Sequence, residues 1–93
     1  MRLPFSLRIV RGHSMQPRIR DGGRVLVFQW AYLMHGPRKG DVITFQYHGT
    51  PYVKRVIAVQ KSKVVVAGDN AADSKKLPAI PQGIIDGKVL FSY

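Results

Sequence analysis

Two short stretches of this 93-residue chain carry side chains whose types suit catalysis. The first is Gly12-His13-Ser14-Met15-Gln16-Pro17. Gly12 permits unusual backbone angles and Pro17 forbids a continuing β ladder, so a sharp bend here would present the Ser14 hydroxyl beside backbone N–H groups. By itself the hexapeptide fits an ordinary Ser/Pro turn better than a catalytic loop. The second is Thr50-Pro51-Tyr52-Val53-Lys54-Arg55-Val56-Ile57-Ala58-Val59. Alternate strand residues share a face, which groups Lys54 with Tyr52, Val56 and Ala58, and Arg55 with Val53, Ile57 and Val59. Both faces are mainly apolar, so at least one of the two cations lies against apolar neighbours unless the strand is an edge whose long side chains snorkel outward. A desolvated lysine surrounded by positive charge loses its proton more readily. Its neutral amine can then take the proton of a serine hydroxyl, which alone is too weak a nucleophile. Arginine cannot do this, because it stays protonated.

Other chemistries have less to draw on. A Ser/His/Asp triad would need His13, His35 or His48, and His13 points away from Ser14 on an extended chain. Three scattered histidines with no His-x-x-x-His spacing give no metal site, and no cofactor is expected. Neither glycine-rich phosphate loop is present. The absence of cysteine excludes disulfides, thiolate metal sites and a cysteine nucleophile.

Positioning these residues requires strands. Ser6–Val10, Arg24–Gln29, Asp41–Tyr47, Pro51–Gln60, Lys63–Ala67 and Lys88–Tyr93 are rich in Val, Ile, Phe and Tyr. Turn-formers separate them, among them Asp21-Gly22-Gly23 and His48-Gly49-Thr50-Pro51. The spacing predicts an all-β fold, a small curled antiparallel sheet or barrel. The length predicts a single domain over residues 1–93. Trp30–Met34 fits a strand end, a short helix or an exposed apolar loop. That five-residue run is the longest apolar one, against the ~20 residues that span a bilayer, so no transmembrane segment is predicted. Arg8 and Arg11 interrupt any signal-peptide stretch, which favours a soluble, cytoplasmic protein.

The net charge is +10, and the five acids, all Asp, stand in turn contexts: Asp21, Asp41, Asp69, Asp73 and Asp86. Local backbone bonding there leaves few carboxylates to pair with 15 Lys and Arg. The resulting field suits nucleic acid, an anionic membrane surface touched peripherally, or an acidic partner; it also serves simple solubility.

Taken in order, the segments resemble the serine–lysine signal peptidase family. Gly12–Pro17 is similar to its Ser-Met-x-Pro nucleophile box, and Arg20–Val27 to the turn and strand that follow. Lys39-Gly40-Asp41-Val42-Ile43-Thr44-Phe45 resembles its Arg-Gly-Asp-Val-Val-x-Phe strand, and Tyr52–Ala58 the box with the general-base lysine. Gly68-Asp69-Asn70 with Ser74 resembles its Gly-Asp-Asn box, and Gly87–Phe91 its closing strand. The likeness covers about residues 9–91. It implies Ser14 as nucleophile, Lys54 as base, Ser74 as the serine that orients the lysine amine, and the Ser14 N–H as an oxyanion donor. Gly12 stands where some members place a second, side-chain donor. Gly68, Asp69 and Asn70 form a structural box. The segment after Ser74, Lys75-Lys76-Leu77-Pro78, departs from a common Asp-Ser-Arg run.

Within the family, the chain looks most like the small proteases that mature nickel-type superoxide dismutase. The implied function is a serine endopeptidase that removes an N-terminal leader or pro-segment from a precursor, that of the nickel dismutase, with signal-peptide-type processing of other precursors as the alternative. An extended substrate would pair with a strand edge, with Met15, Tyr52 and Val56 as candidate cleft residues beside Trp30–Met34. Self-cleavage, as in repressors with similar boxes, lacks an Ala-Gly or Cys-Gly bond upstream of Ser14. A non-catalytic basic β-barrel that binds nucleic acid fits the charge and aromatics, but gives no reason for the boxes to occur together.

Overall fold

The computed structural model describes residues 4–72 and 76–93. It contains β1 (Phe5–Ile9), β2 (Arg24–Phe28), β3 (Val42–Tyr47), β4 (Thr50–Val59), β5 (Lys63–Ala67), β6 (Ile80–Pro81), a short 3-10 helix (Gln82–Ile84) and β7 (Ile85–Ser92). The strands form one antiparallel sheet in the order β1-β2-β7-β3-β4-β5-β6. β1 and β6 end that order, so of the sheet and barrel alternatives the molecule takes the sheet.

The apolar residues of β3 serve both faces. Ile43 and Phe45 join Val56, Val64, Val66 and Ile80 in one buried cluster. Val42, on the opposite face, packs with Val53 and Val89 against a second cluster of Val10, Met15, Ile19, Val25 and Val27. Each such fully buried side chain contributes about 1.5–3 kcal/mol of transfer free energy. The β3–β4 hairpin fixes the position of Lys54. His48 and Gly49 both have positive φ, 51° and 79°, the geometry of a two-residue turn that matches strand twist. It sets Tyr47 opposite Thr50 and therefore Ile43 opposite Lys54.

Two expectations are corrected. Asp86 and Gly87 lie inside β7, which begins at Ile85 and not at Lys88. Gly87 is required there by close packing: a Cβ would stand 2.6 Å from Val27 Cγ1 and 2.9 Å from the Phe28 carbonyl oxygen. The Asp-Gly pair thus marks a crowded strand crossing, although the same dipeptide usually marks a turn. β6 has no counterpart in the sequence reading, because two residues give no periodicity.

Candidate active site

Ser14 lies in the loop between β1 and β2, which is tied at several points. Val10 N–H donates to the Gly23 carbonyl (2.8 Å) and Gly22 N–H to the Val10 carbonyl (2.6 Å). Gly12, at φ +93°, takes a backbone conformation that suits glycine, and its N–H donates to Asp21 Oδ1 at 2.9 Å. The Gln16–Pro17 peptide is cis. Met15 is fully buried and anchors the loop in the second cluster.

From the other side the Gly68-Asp69-Asn70 segment reaches the same loop. Asn70 N–H donates to the Ser14 carbonyl at 2.7 Å, and Asn70 Nδ2 donates to the His13 carbonyl at 3.0 Å. Asp69 receives a two-pronged pair from Arg55: Nε to Oδ1 at 2.8 Å and Nη2 to Oδ2 at 2.9 Å. Arg55 Nη1 also donates to the Gly40 carbonyl at 2.7 Å. The hydrogen bonds from Arg55 hold the Asp69 carboxyl below its usual range despite partial burial, with the charges of Arg55 and Arg18 adding to the effect. The same bonds raise Arg55. One arginine therefore joins the lysine-bearing strand to the segment that grips the serine loop.

Lys54 is 3% exposed. Its neighbours on that face include Ile43 across the ladder and Tyr52, whose ring centroid is 5.9 Å from Nζ. Of the two adjacent cations Lys54 is the buried one, and Arg55 lies partly exposed in its ion pair with Asp69. Ser14 and Lys54 line one cavity of about 610 Å³. Its walls are Arg8–Arg11 on one side, Pro51–Lys54 on another, and Thr44–Gln46 with Ile84–Asp86.

Of the expected cleft residues, Tyr52 lines this cavity. Met15 and Val56 do not: both are fully buried, one in each cluster. Trp30–Met34 forms a loop of turns with Leu33 N–H bonded to the Trp30 carbonyl (3.2 Å). Trp30, Leu33 and Met34 are exposed and lie outside the cavity. The loop is held by Tyr32, whose hydroxyl donates to Asp41 Oδ2 at 2.7 Å. Burial, and then the bond and charge of Asp41, push the Tyr32 hydroxyl far above its ordinary pKa. Burial works upward on Asp41 too, but bonds from Tyr32 and the Arg38 N–H, with the Lys88 ammonium, hold it low. Ser74 lies outside the described residues. No group of His, Asp or Glu suited to a metal occurs among the described residues.

Asp86 was not anticipated as part of the site. It lines the cavity and accepts from Arg8 Nη2 (3.3 Å), Thr44 Oγ1 (3.3 Å) and Gln29 Nε2 (3.3 Å). The Asp-Gly dipeptide signalled a turn, and only the β3–β7 pairing brings Thr44 beside it.

The family model described as signal peptidase, peptidase S26, matches residues 2–69. Signal peptidase IB of Staphylococcus aureus is 41% identical over 61 residues, 64% of this chain and 32% of that protein. Signal peptidase I of Bacillus caldolyticus is 28% identical over 92 residues, 91% of this chain and 50% of the relative. The chain thus spans half or less of the curated relatives it matches. No described helix is long and apolar enough to cross a membrane.

Proposed function

Because the chain belongs to the signal peptidase, peptidase S26, family, we propose that it is a serine endopeptidase with a Ser14/Lys54 dyad that removes an N-terminal leader or pro-segment from a protein precursor. The observation that carries this reading is the shared cavity: a serine on a tied loop and a lysine 3% exposed line the same 610 Å³ space. Burial disfavours the ammonium form, so in this reading Lys54 is poised as a neutral amine. Ser14 Oγ attacks the scissile carbonyl carbon and its proton passes to Lys54 Nζ. The carbonyl oxygen becomes an oxyanion, held by the Ser14 N–H. Collapse breaks the C–N bond, the leaving amine takes the proton from Lys54, and an acyl ester remains on Ser14. Water then attacks the ester, giving one proton to Lys54. That proton returns to Ser14 Oγ as the leader leaves with a new carboxyl terminus. Gly12 has no side chain to offer as a second oxyanion donor, and its N–H donates to Asp21 Oδ1. One such donor is typically worth ~10²–10³ in rate. We assign Ser74 the role of orienting the lysine amine, on the family resemblance alone.

The substrate we propose is the precursor of nickel-type superoxide dismutase, on the chain's likeness to the small maturation proteases; a cytoplasmic location follows from that substrate. The names of the matched relatives favour a second reading, signal-peptide-type processing of other precursors. Wild type and Ser14→Ala incubated with the unprocessed dismutase precursor, read by intact mass, decide between them. A single cut at the leader junction, lost in Ser14→Ala, supports the dismutase assignment. An intact precursor beside cleaved signal peptides keeps the peptidase and moves the substrate.

A further inference from the structure

Resting on the reading of Ser14 and Lys54 as a peptidase, the charge lining their cavity carries a statement about substrate. We propose that the cavity selects substrates with an acidic side chain within a few residues of the scissile bond, read by Arg11 with support from Arg8. Both arginines line the cavity, three residues apart on the wall that leads to Ser14. Arg11 is exposed, and the ion pairs among the described residues join Arg8 to Asp86, Arg55 to Asp69 and Lys88 to Asp41. Arg11 therefore has no acidic partner among the described residues. Among the described residues Asp86 is the single acid lining the cavity, and Arg8, Thr44 and Gln29 already occupy it. With Lys54 neutral, as its role requires, the described lining still carries two arginines against one aspartate.

The remaining walls are largely apolar, with Ile9, Val10, Phe45, Val53, Ile84 and Ile85. Such low-dielectric walls strengthen the field of a fixed charge on a bound ligand. A carboxylate laid along Arg8–Arg11 meets an uncommitted guanidinium fork, which suits it bidentately. A lysine at the same place adds a third cation to the cavity.

The test uses internally quenched peptides spanning a leader junction, identical except for Glu, Gln or Lys at one flanking position, moved residue by residue. At low salt, kcat/KM at the position that meets Arg11 falls in the order Glu, Gln, Lys, by about two- to fivefold per step, the range for a partly exposed charge pair. Arg11→Gln brings the Glu/Gln ratio close to one, and Arg8→Gln reduces it less. Lys63→Gln, which removes the same charge away from the cavity, keeps the ratio. Labelled versions of the same peptides bound to Ser14→Ala, followed by anisotropy, give the same order without cleavage. Equal kcat/KM for Glu and Gln at every position, or a ratio unchanged in Arg11→Gln, overturns the proposal. If wild type cuts none of the peptides, the peptidase reading fails; equal binding of all three then overturns the acidic selectivity as well, and ordered binding sustains it.

Discussion

Lys54 is 3% exposed, with its Nζ 5.9 Å from the Tyr52 ring centroid, so little water reaches an ammonium there. In the proposed mechanism this environment favours the neutral amine, and the pH dependence follows. A base acts when unprotonated, so kcat/KM should climb with pH through the Lys54 pKa and then level. Lys54→Arg should show no such limb, and its rate should fall by at least ~10²–10⁴, the span of general-base catalysis. A stopped-flow pH profile of both proteins checks this. The sequence pattern, two adjacent cations on a strand with two mainly apolar faces, pointed to one of them lying against apolar neighbours, but which one is buried depends on the strands on either side of β4. That Met15 and Val56 are buried in the clusters was not legible from local sequence. Neighbours along a strand or loop do not reveal whether a side chain points into a cavity or into a core, and Met15 is drawn into the second cluster by Val10, Ile19, Val25 and Val27, all distant from Lys54 in sequence.

At the scale of elements, the site depends on how β4, the Gly68–Asn70 segment and the β1–β2 loop are joined. Asp69 is the joint, and its depressed carboxyl gives stability a definite acid dependence. The Arg55–Asp69 contribution is fully present above the unfolded aspartate pKa of about 3.9 and is lost as pH falls through the lower folded value. Asp69→Asn should cost about 1–3 kcal/mol at neutral pH, the loss of charge-assisted bonds in a partly buried pair. Urea midpoints at neutral and acid pH should show that gap closing on acidification. Gly87→Ala tests the crowded β2–β7 crossing. Its Cβ collides with Val27 Cγ1 and the Phe28 carbonyl, an overpacking of about 1–3 kcal/mol, visible as a lower midpoint with unchanged m-value. Lys63–Ala67 was legible to the residue, since alternation and flanking turns agree. β7 was truncated because Asp86-Gly87 carries a turn signature, and only the partner strand reveals why glycine is needed there.

Across the whole molecule, 15 Lys and Arg stand against five Asp, which leaves the net charge of +10. Asp41, Asp69 and Asp86 are ion-paired, and Asp21 accepts from Gly12 N–H. Diffusional capture of an acidic substrate by this field is screened beyond about 10 Å at 0.1 M salt. Raising the salt concentration should therefore lower kcat/KM on such a substrate while kcat at saturation holds; a salt-independent kcat/KM would separate the charge from the function. The charge itself was plain in the sequence, but its placement was not. That Arg8 is engaged by Asp86 while Arg11, three residues on, is not depends on β1 and β7 meeting at the cavity, a contact between residues 78 positions apart.

The central claim is that Ser14 is activated by Lys54, and the most direct measurement is intact-mass analysis of a leader-bearing precursor that wild type cuts, incubated with Lys54→Met. Methionine keeps the length and apolar stem and removes the amine, so the circular dichroism spectrum should match wild type. The account predicts an uncut precursor under conditions where wild type processes it fully. Processing by Lys54→Met at the wild-type rate would contradict it and remove the lysine from the mechanism.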